Sequence, residues 1–294
     1  MGAMRLPIVV GVDGSEGSLR ALDWAAAEAA RSRLPLRVVH ASLWERYEGM
    51  RPTFDTERPA EQILAEHLVA SAQERAQRLH AEVNVVADIQ PEDPVNALER
   101  ESYEAALVVL GSLGRGRIAG MLLGSVSLAL ASRSHCPVVV IPATAPNAQP
   151  KPGRIVVGIG DAPGPSAAAR FALAQATSRH GELIAVRAWR CPAHEAADHP
   201  LLAGSQASAH RQQAEEHLED VLAVLERTES DAVVHRSVLQ GPVHQVLIEE
   251  AEGAELLVVG ARRAGGRHGL RPGPVNHAVL HYAPCPVAVV PDTR

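Results

Sequence analysis

The chain has 294 residues, 46% hydrophobic and 21% charged, with a formal net charge of −6; at that length each half can bury a core of its own. The acidic balance argues against a general nucleic-acid binder, which needs a basic face to release counterions from phosphates. No apolar run approaches the ~18–20 residues of a membrane span, and "MGAMRLP" is too short for a signal peptide, so a cytoplasmic protein that does not engage membranes is expected.

In chain order, short β-branched runs alternate with helical patterns. Strands are predicted at Ile8–Val12, Leu36–Ala41, Val83–Ile89, Leu107–Leu110 and Val138–Ile141, and helices near Ser18–Arg31, Ala60–His80, Pro94–Ser102 and Ser125–Ser132. In the second helix Leu64, Leu68, Ala72, Ala76 and Leu79 are expected to share the buried face. The pattern then starts again. "IVVGVDGSEGS" from Ile8 is echoed by "IVVGIGDAPGPS" from Ile155, "LVVLGS" by "LLVVGA", and "HCPVVVIP" by "PCPVAVVP". Ile8 and Ile155 stand 147 residues apart, Cys136 and Cys285 149 apart, so little has been inserted or lost between the copies. The Pro/Ala-rich run 143–153 is a stiff linker between domains 1–142 and 154–294. Strand–helix alternation with near-continuous apolar strands predicts two tandem doubly wound α/β domains, each a parallel sheet with helices on both faces. In the second copy Leu218, Val221, Leu222 and Leu225 answer the helical stripe of the first.

Ligands of such sheets sit beyond the carboxyl ends of the strands, where "VVGVD" ends in Asp13 and "LVVLG" in Gly111. The stretch "GSLGRGRIAGMLLGSVS", residues 111–127, has spaced glycines that could turn several N–H groups into one anion-binding hollow. Gly124 then opens a helix whose first amides favour phosphate. Ser125 and Ser127 can add hydroxyls, Arg115 or Arg117 charge, and Asp13 can hold a ribose hydroxyl or a nucleotide-bound metal. No lysine is present, so it is not a Walker loop, and it follows the fourth strand, so it is not the dinucleotide fingerprint. A flexible surface loop, with Asp13 a simple turn residue, is the competing reading.

Gly111-x2-Gly114-x9-Gly124-Ser125, with "VVGVDGSEGS", "MLLGSVS" and "HCPVVVIP", resembles the motifs of the universal stress protein family, and the resemblance runs twice along the chain as in its tandem-domain members. It implies a five-stranded parallel sheet per domain (adenine nucleotide alpha hydrolase-like), ATP with Mg²⁺ as cofactor, and a homodimer or pairing of the two domains. Transferred to this sequence, Asp13 meets the ribose and the metal, the main chain at Ala41 lies by adenine, and Gly11 is a further binding residue. Gly111, Gly114, Gly124, Ser125, Val126 and Ser127 surround the phosphates, and Ser112, Leu113, Arg115, Gly116 and Arg117 between them are further binding residues. The family's link to stress survival and growth control suggests a nucleotide-dependent regulator; the alternatives are a slow ATPase or phosphoryl-transfer enzyme, or an interaction module stabilised by ATP.

The second copy departs from the motif. Gly260 and Gly273 hold their places, but Arg263 replaces the second glycine, Pro274 the serine, Asn276 the final serine, and Gly160 the aspartate, with Asp161 displaced by one. Each change is expected to delete a donor or an anchor, leaving weak or absent ATP binding. Arg262, Arg263, Arg267 and Arg271 could clasp another anion or lie solvated. His277 and His281, four apart, could share a metal or form a solvated pair. Cys136 and Cys285 are expected as small buried hydrophobes.

Overall fold

The computed structural model describes residues 5–43, 60–114, 123–143, 150–190, 203–227, 230–261 and 273–292. They divide into two compact units, 5–143 and 150–292. Within unit 1 the elements run β1 (Ile8–Gly11), α1 (Glu16–Ser32), β2 (Leu36–Ala41), α2 (Ala60–Leu79), β3 (Val85–Gln90), α3 (Pro94–Glu101), β4 (Leu107–Gly111), α4 (Ser125–Arg133) and β5 (Val138–Ile141). Unit 2 repeats them as β6 (Arg154–Gly158), α5 (Ala167–Ser178), β7 (Glu182–Trp189), α6 (Ala203–Leu225), β8 (Val233–Gln240), α7 (Val243–Glu250), β9 (Leu256–Ala261), α8 (Pro274–Tyr282) and β10 (Val287–Pro291). Among the described residues no helix is long and apolar enough to cross a membrane.

In unit 1 the strands lie in the order β3-β2-β1-β4-β5 and are all parallel, as the sequence pattern predicts. The central strands carry almost no polar side chain because both faces are covered: Val9, Val10, Val108, Val109 and Val139 are fully buried. The edge strand β3 loosens that pattern, with Val86 47% exposed. Helix α1 packs on α2, and α3 on α4. Arg75 of α2 holds Asp23 of α1 through two hydrogen bonds of 2.6 and 2.7 Å, which raise the guanidinium pKa. Unit 2 has the matching order β8-β7-β6-β9-β10, again parallel.

One predicted helix face holds at Ala72 and Ala76 but fails at its two ends. On α2 the buried column is Ala65, Val69, Ala72 and Ala76, whereas Leu64 is 65% and Leu79 52% exposed. Small side chains, not leucines, face inward because α2 must lie close against both α1 and β3. On α6 the predicted residues Leu218, Val221, Leu222 and Leu225 are all buried. Cys136 and Cys285 are buried too, and burial pushes their thiols up to about 11 and about 12, so both stay neutral. The third cysteine, Cys191, lies outside the described residues.

Candidate functional site

The order 3-2-1-4-5 puts the topological switch between β1 and β4, whose outgoing chains lead to opposite sides of the sheet. A cavity of about 460 Å³ opens there, lined by Gly11–Asp13 beyond β1, Val39–Ala41 of β2 and Leu110, Gly111, Leu113 and Gly114 after β4. Pro94 and Leu98 of α3 and the stretch 123–127 at the start of α4 close it.

Asp13 is held by the turn that starts α1. Its Oδ1 accepts the Ser15 N–H at 3.0 Å, and its own N–H reaches Ser18 Oγ at 3.4 Å. Ser15 caps the helix by accepting the Ser18 N–H at 3.2 Å, and its hydroxyl donates across to Leu113 O at 3.4 Å. The turn reading of Asp13 is thus realised, and the turn sits at the cavity wall. Because Ser15 both caps α1 and ties it to the loop after β4, Ser15→Ala is expected to cost about 1 kcal/mol in urea unfolding. An unchanged midpoint would remove the cap from the account.

The glycines work differently from expectation. None of Gly111, Gly114 and Gly124 lies at positive φ, so the described part of the loop does not curl through left-handed residues. Two of them instead permit close approach. A Cβ on Gly111 would stand 2.6 Å from the Gly17 carbonyl carbon and 3.0 Å from the Ser18 nitrogen, where α1 begins. A Cβ on Gly114 would stand 2.5 Å from Asp13 Oδ2.

Helix α4 begins at Gly124, which supplies no capping side chain. Its first-turn amides therefore lack both an intrahelical acceptor and a cap, and the positive end of the helix faces the cavity rim at Ser125–Ser127. Ser127 is buried and donates its hydroxyl to Gly111 O at 2.7 Å, so it braces the strand end. Ser112 is 2% exposed, and its Oγ finds no partner among the described residues. The uncapped helix start at the rim is a donor set short of an acceptor, whereas the orphaned Ser112 hydroxyl does not line the cavity.

Of the residues predicted from sequence, the structure brings Gly11, Asp13, Ala41, Gly111, Leu113, Gly114, Gly124, Ser125, Val126 and Ser127 to one cavity. Ser112 stands behind the wall, while Arg115, Gly116 and Arg117 lie outside the described residues. Sequence reasoning missed Pro94 and Leu98, which arrive from α3. His40 is 9% exposed, lines the cavity, and holds Val12 O through Nδ1 at 2.7 Å.

The repeat makes unit 2 a control. By strand register His40 corresponds to Arg187 and Val12 to Ile159. Arg187 makes the same tie, Nη1 to Ile159 O at 3.1 Å, and its Nη2 also binds Asp161 Oδ1 at 2.6 Å. His217 of α6 meets Gly160 O at 2.9 Å through Nε2. A charged pair therefore spans the strand ends where unit 1 has Asp13 and its cavity. Helix α8 starts with Pro274, which removes one amide donor. One expected loss is not a loss: Asn276 donates Nδ2 to Gly260 O at 3.0 Å, because its longer amide reaches the carbonyl that Ser127 reaches in unit 1. The arginines Arg262, Arg263, Arg267 and Arg271 lie outside the described residues.

Comparison with known proteins follows the same two-fold division. The universal stress protein family model matches residues 4–142 and again 152–291. Universal stress proteins of Mycobacterium bovis and Mycobacterium tuberculosis are 36% identical over 302 residues, covering 96% of this chain and 96% of theirs. A universal stress protein crystal structure from Archaeoglobus fulgidus superposes with a TM-score of 0.68 at 17% identity, covering 97% of this chain and 98% of that one. A universal stress protein crystallised in complex with cAMP is 30% identical, covering 48% of this chain and 100% of its own, at a TM-score of 0.37.

Proposed function

Because the chain belongs to the universal stress protein family, we propose that unit 1 binds ATP with Mg²⁺ and that occupancy of this one site is the signal a partner reads. The observation that carries this reading is the meeting, at the switch point, of an acid, an uncapped helix start and a cavity with apolar walls. Apolar Val39, Pro94 and Leu98 suit a flat base. Asp13 suits a ribose hydroxyl, and the amides at 111–114 and 124–127 suit phosphate oxygens. A magnesium ion would come with the phosphates and need only one carboxylate, here that of Asp13; its chemistry is to neutralise phosphate charge. The same reading assigns the protein to the cytoplasm, to control of stress response or growth, and to a homodimer or a pairing of its own two domains.

Unit 2 supplies the contrast. Its Arg187–Asp161 pair, its Pro274 and its lack of an aspartate at position 160 leave, among the described residues, no match to the donor set of unit 1. The test is to denature the purified full chain, identify any released nucleotide by mass spectrometry, and count sites by equilibrium dialysis with ATP. One adenine nucleotide per chain is expected. No adenine nucleotide, or two equal sites, would overturn the reading.

A further inference from the structure

Unit 2 carries a side-chain pair with no counterpart in unit 1. On α8, His277 and His281 stand one turn apart, so their imidazoles rise from the same face. The ring centroids are 4.5 Å apart and the planes inclined by 36°. His277 is exposed and His281 half-buried. Neither ring has a hydrogen-bond partner among the described residues. The His281 pKa is lowered, first by desolvation and second by the charge of His277. At the corresponding places of α4 stand Leu128 and Ser132, and the Ser132 hydroxyl is used within its own helix, donating to Leu128 O at 3.1 Å. The pair is therefore not a packing requirement of the fold.

We propose that His277 and His281 together bind one borderline divalent transition ion of the Zn²⁺ type, with water completing its coordination. Two imidazoles at four-residue spacing can direct one nitrogen each at a common ion, and bringing the second ligand in from the same helix makes its binding intramolecular. Imidazole nitrogen selects such ions over Mg²⁺ and Ca²⁺, which take oxygen ligands. No cluster of three or more His, Cys, Asp or Glu suited to a metal occurs among the described residues, so affinity should fall well short of a four-ligand structural site. The site stands on α8 alone and does not depend on nucleotide binding by unit 1.

Equilibrium dialysis of the full chain against ZnCl₂, with MgCl₂ as the oxygen-preferring control, tests it. The strongest zinc site should weaken by roughly tenfold or more in H277A and equally in H281A, since each leaves a single imidazole. The exposed, unrelated His67 provides a control variant, H67A, which should bind zinc like the parent. Should a variant fold poorly, the parent's own histidine ring resonances decide: those of His277 and His281 must shift together on adding zinc. Zinc binding that survives both substitutions, falls equally in H67A, or leaves both rings unshifted overturns the proposal.

Discussion

Replacing Gly114 by leucine should abolish nucleotide binding by unit 1 while leaving the chain folded. The first added carbon meets Asp13 Oδ2 at 2.5 Å, and the nearest alternative is for the carboxylate to leave its place. Either outcome harms the site: Asp13 loses the position held by the Ser15 N–H, or the leucine takes cavity volume that the ligand needs. We expect a fall in affinity of at least about a hundredfold, on the order of 2.7 kcal/mol. Gly114 is half-exposed and outside regular structure, so stability should change by less than about 1 kcal/mol. Titration calorimetry on parent and variant, with thermal unfolding in parallel, checks both halves. Affinity within a few fold of the parent would show that Gly114 does not border the ligand.

Gly111→Val should have the opposite profile, a loss of stability before any question of binding. A Cβ there lies 2.6 and 2.7 Å from the carbonyl carbon and oxygen of Gly17 and 3.0 Å from Ser18 N. All three are backbone atoms, so no rotamer change relieves the contact; the end of β4 and the start of α1 must part. That seam is central, since β4 pairs with both β1 and β5 and α1 packs across β1 and β4. Overpacking a seam of this kind costs about 3 kcal/mol, or a fall of roughly 10 °C in the midpoint for a unit of this size. A shift below about 1 kcal/mol would mean that α1 is not seated against Gly111 as described.

The two substitutions also show which parts of the site were legible in sequence. Asp13 and Gly111 could be found because each ends a β-branched run, and strand ends are where a parallel sheet presents ligand groups. The reason for the glycines could not be found. Sequence suggests backbone freedom, whereas Gly111 and Gly114 are needed because a neighbouring backbone and a carboxylate press against them. Pro94 and Leu98 were invisible as site residues for another reason. Nothing in "DPVNAL" distinguishes a helix that walls a cavity from one that covers a sheet. The exposed Leu64 and Leu79 on α2 show the limit of counting large apolar side chains: where a helix packs closely, alanine marks the buried face better than leucine. Asn276 was undervalued, and the tie made by His40 is not readable in sequence, because both act through carbonyls at the ends of other strands, Gly260 O and Val12 O. Such partners are set by sheet register.

The internal repeat separates what the fold requires from what a ligand would require. Both units tie the second strand to the first, through His40 in one and Arg187 in the other, and both brace the fourth strand from the following helix. These ties belong to the architecture. Only unit 1 combines an aspartate after its first strand with a helix start that keeps all its amides.

A crystal structure of the full chain grown with Mg·ATP tests this asymmetry most directly. The account predicts a triphosphate against the amides of 111–114 and 124–127 with its ribose at Asp13, while Arg187 and Asp161 remain paired in unit 2. Unit 1 without nucleotide at saturating Mg·ATP, or nucleotide bound at the Arg187–Asp161 position instead, would contradict it.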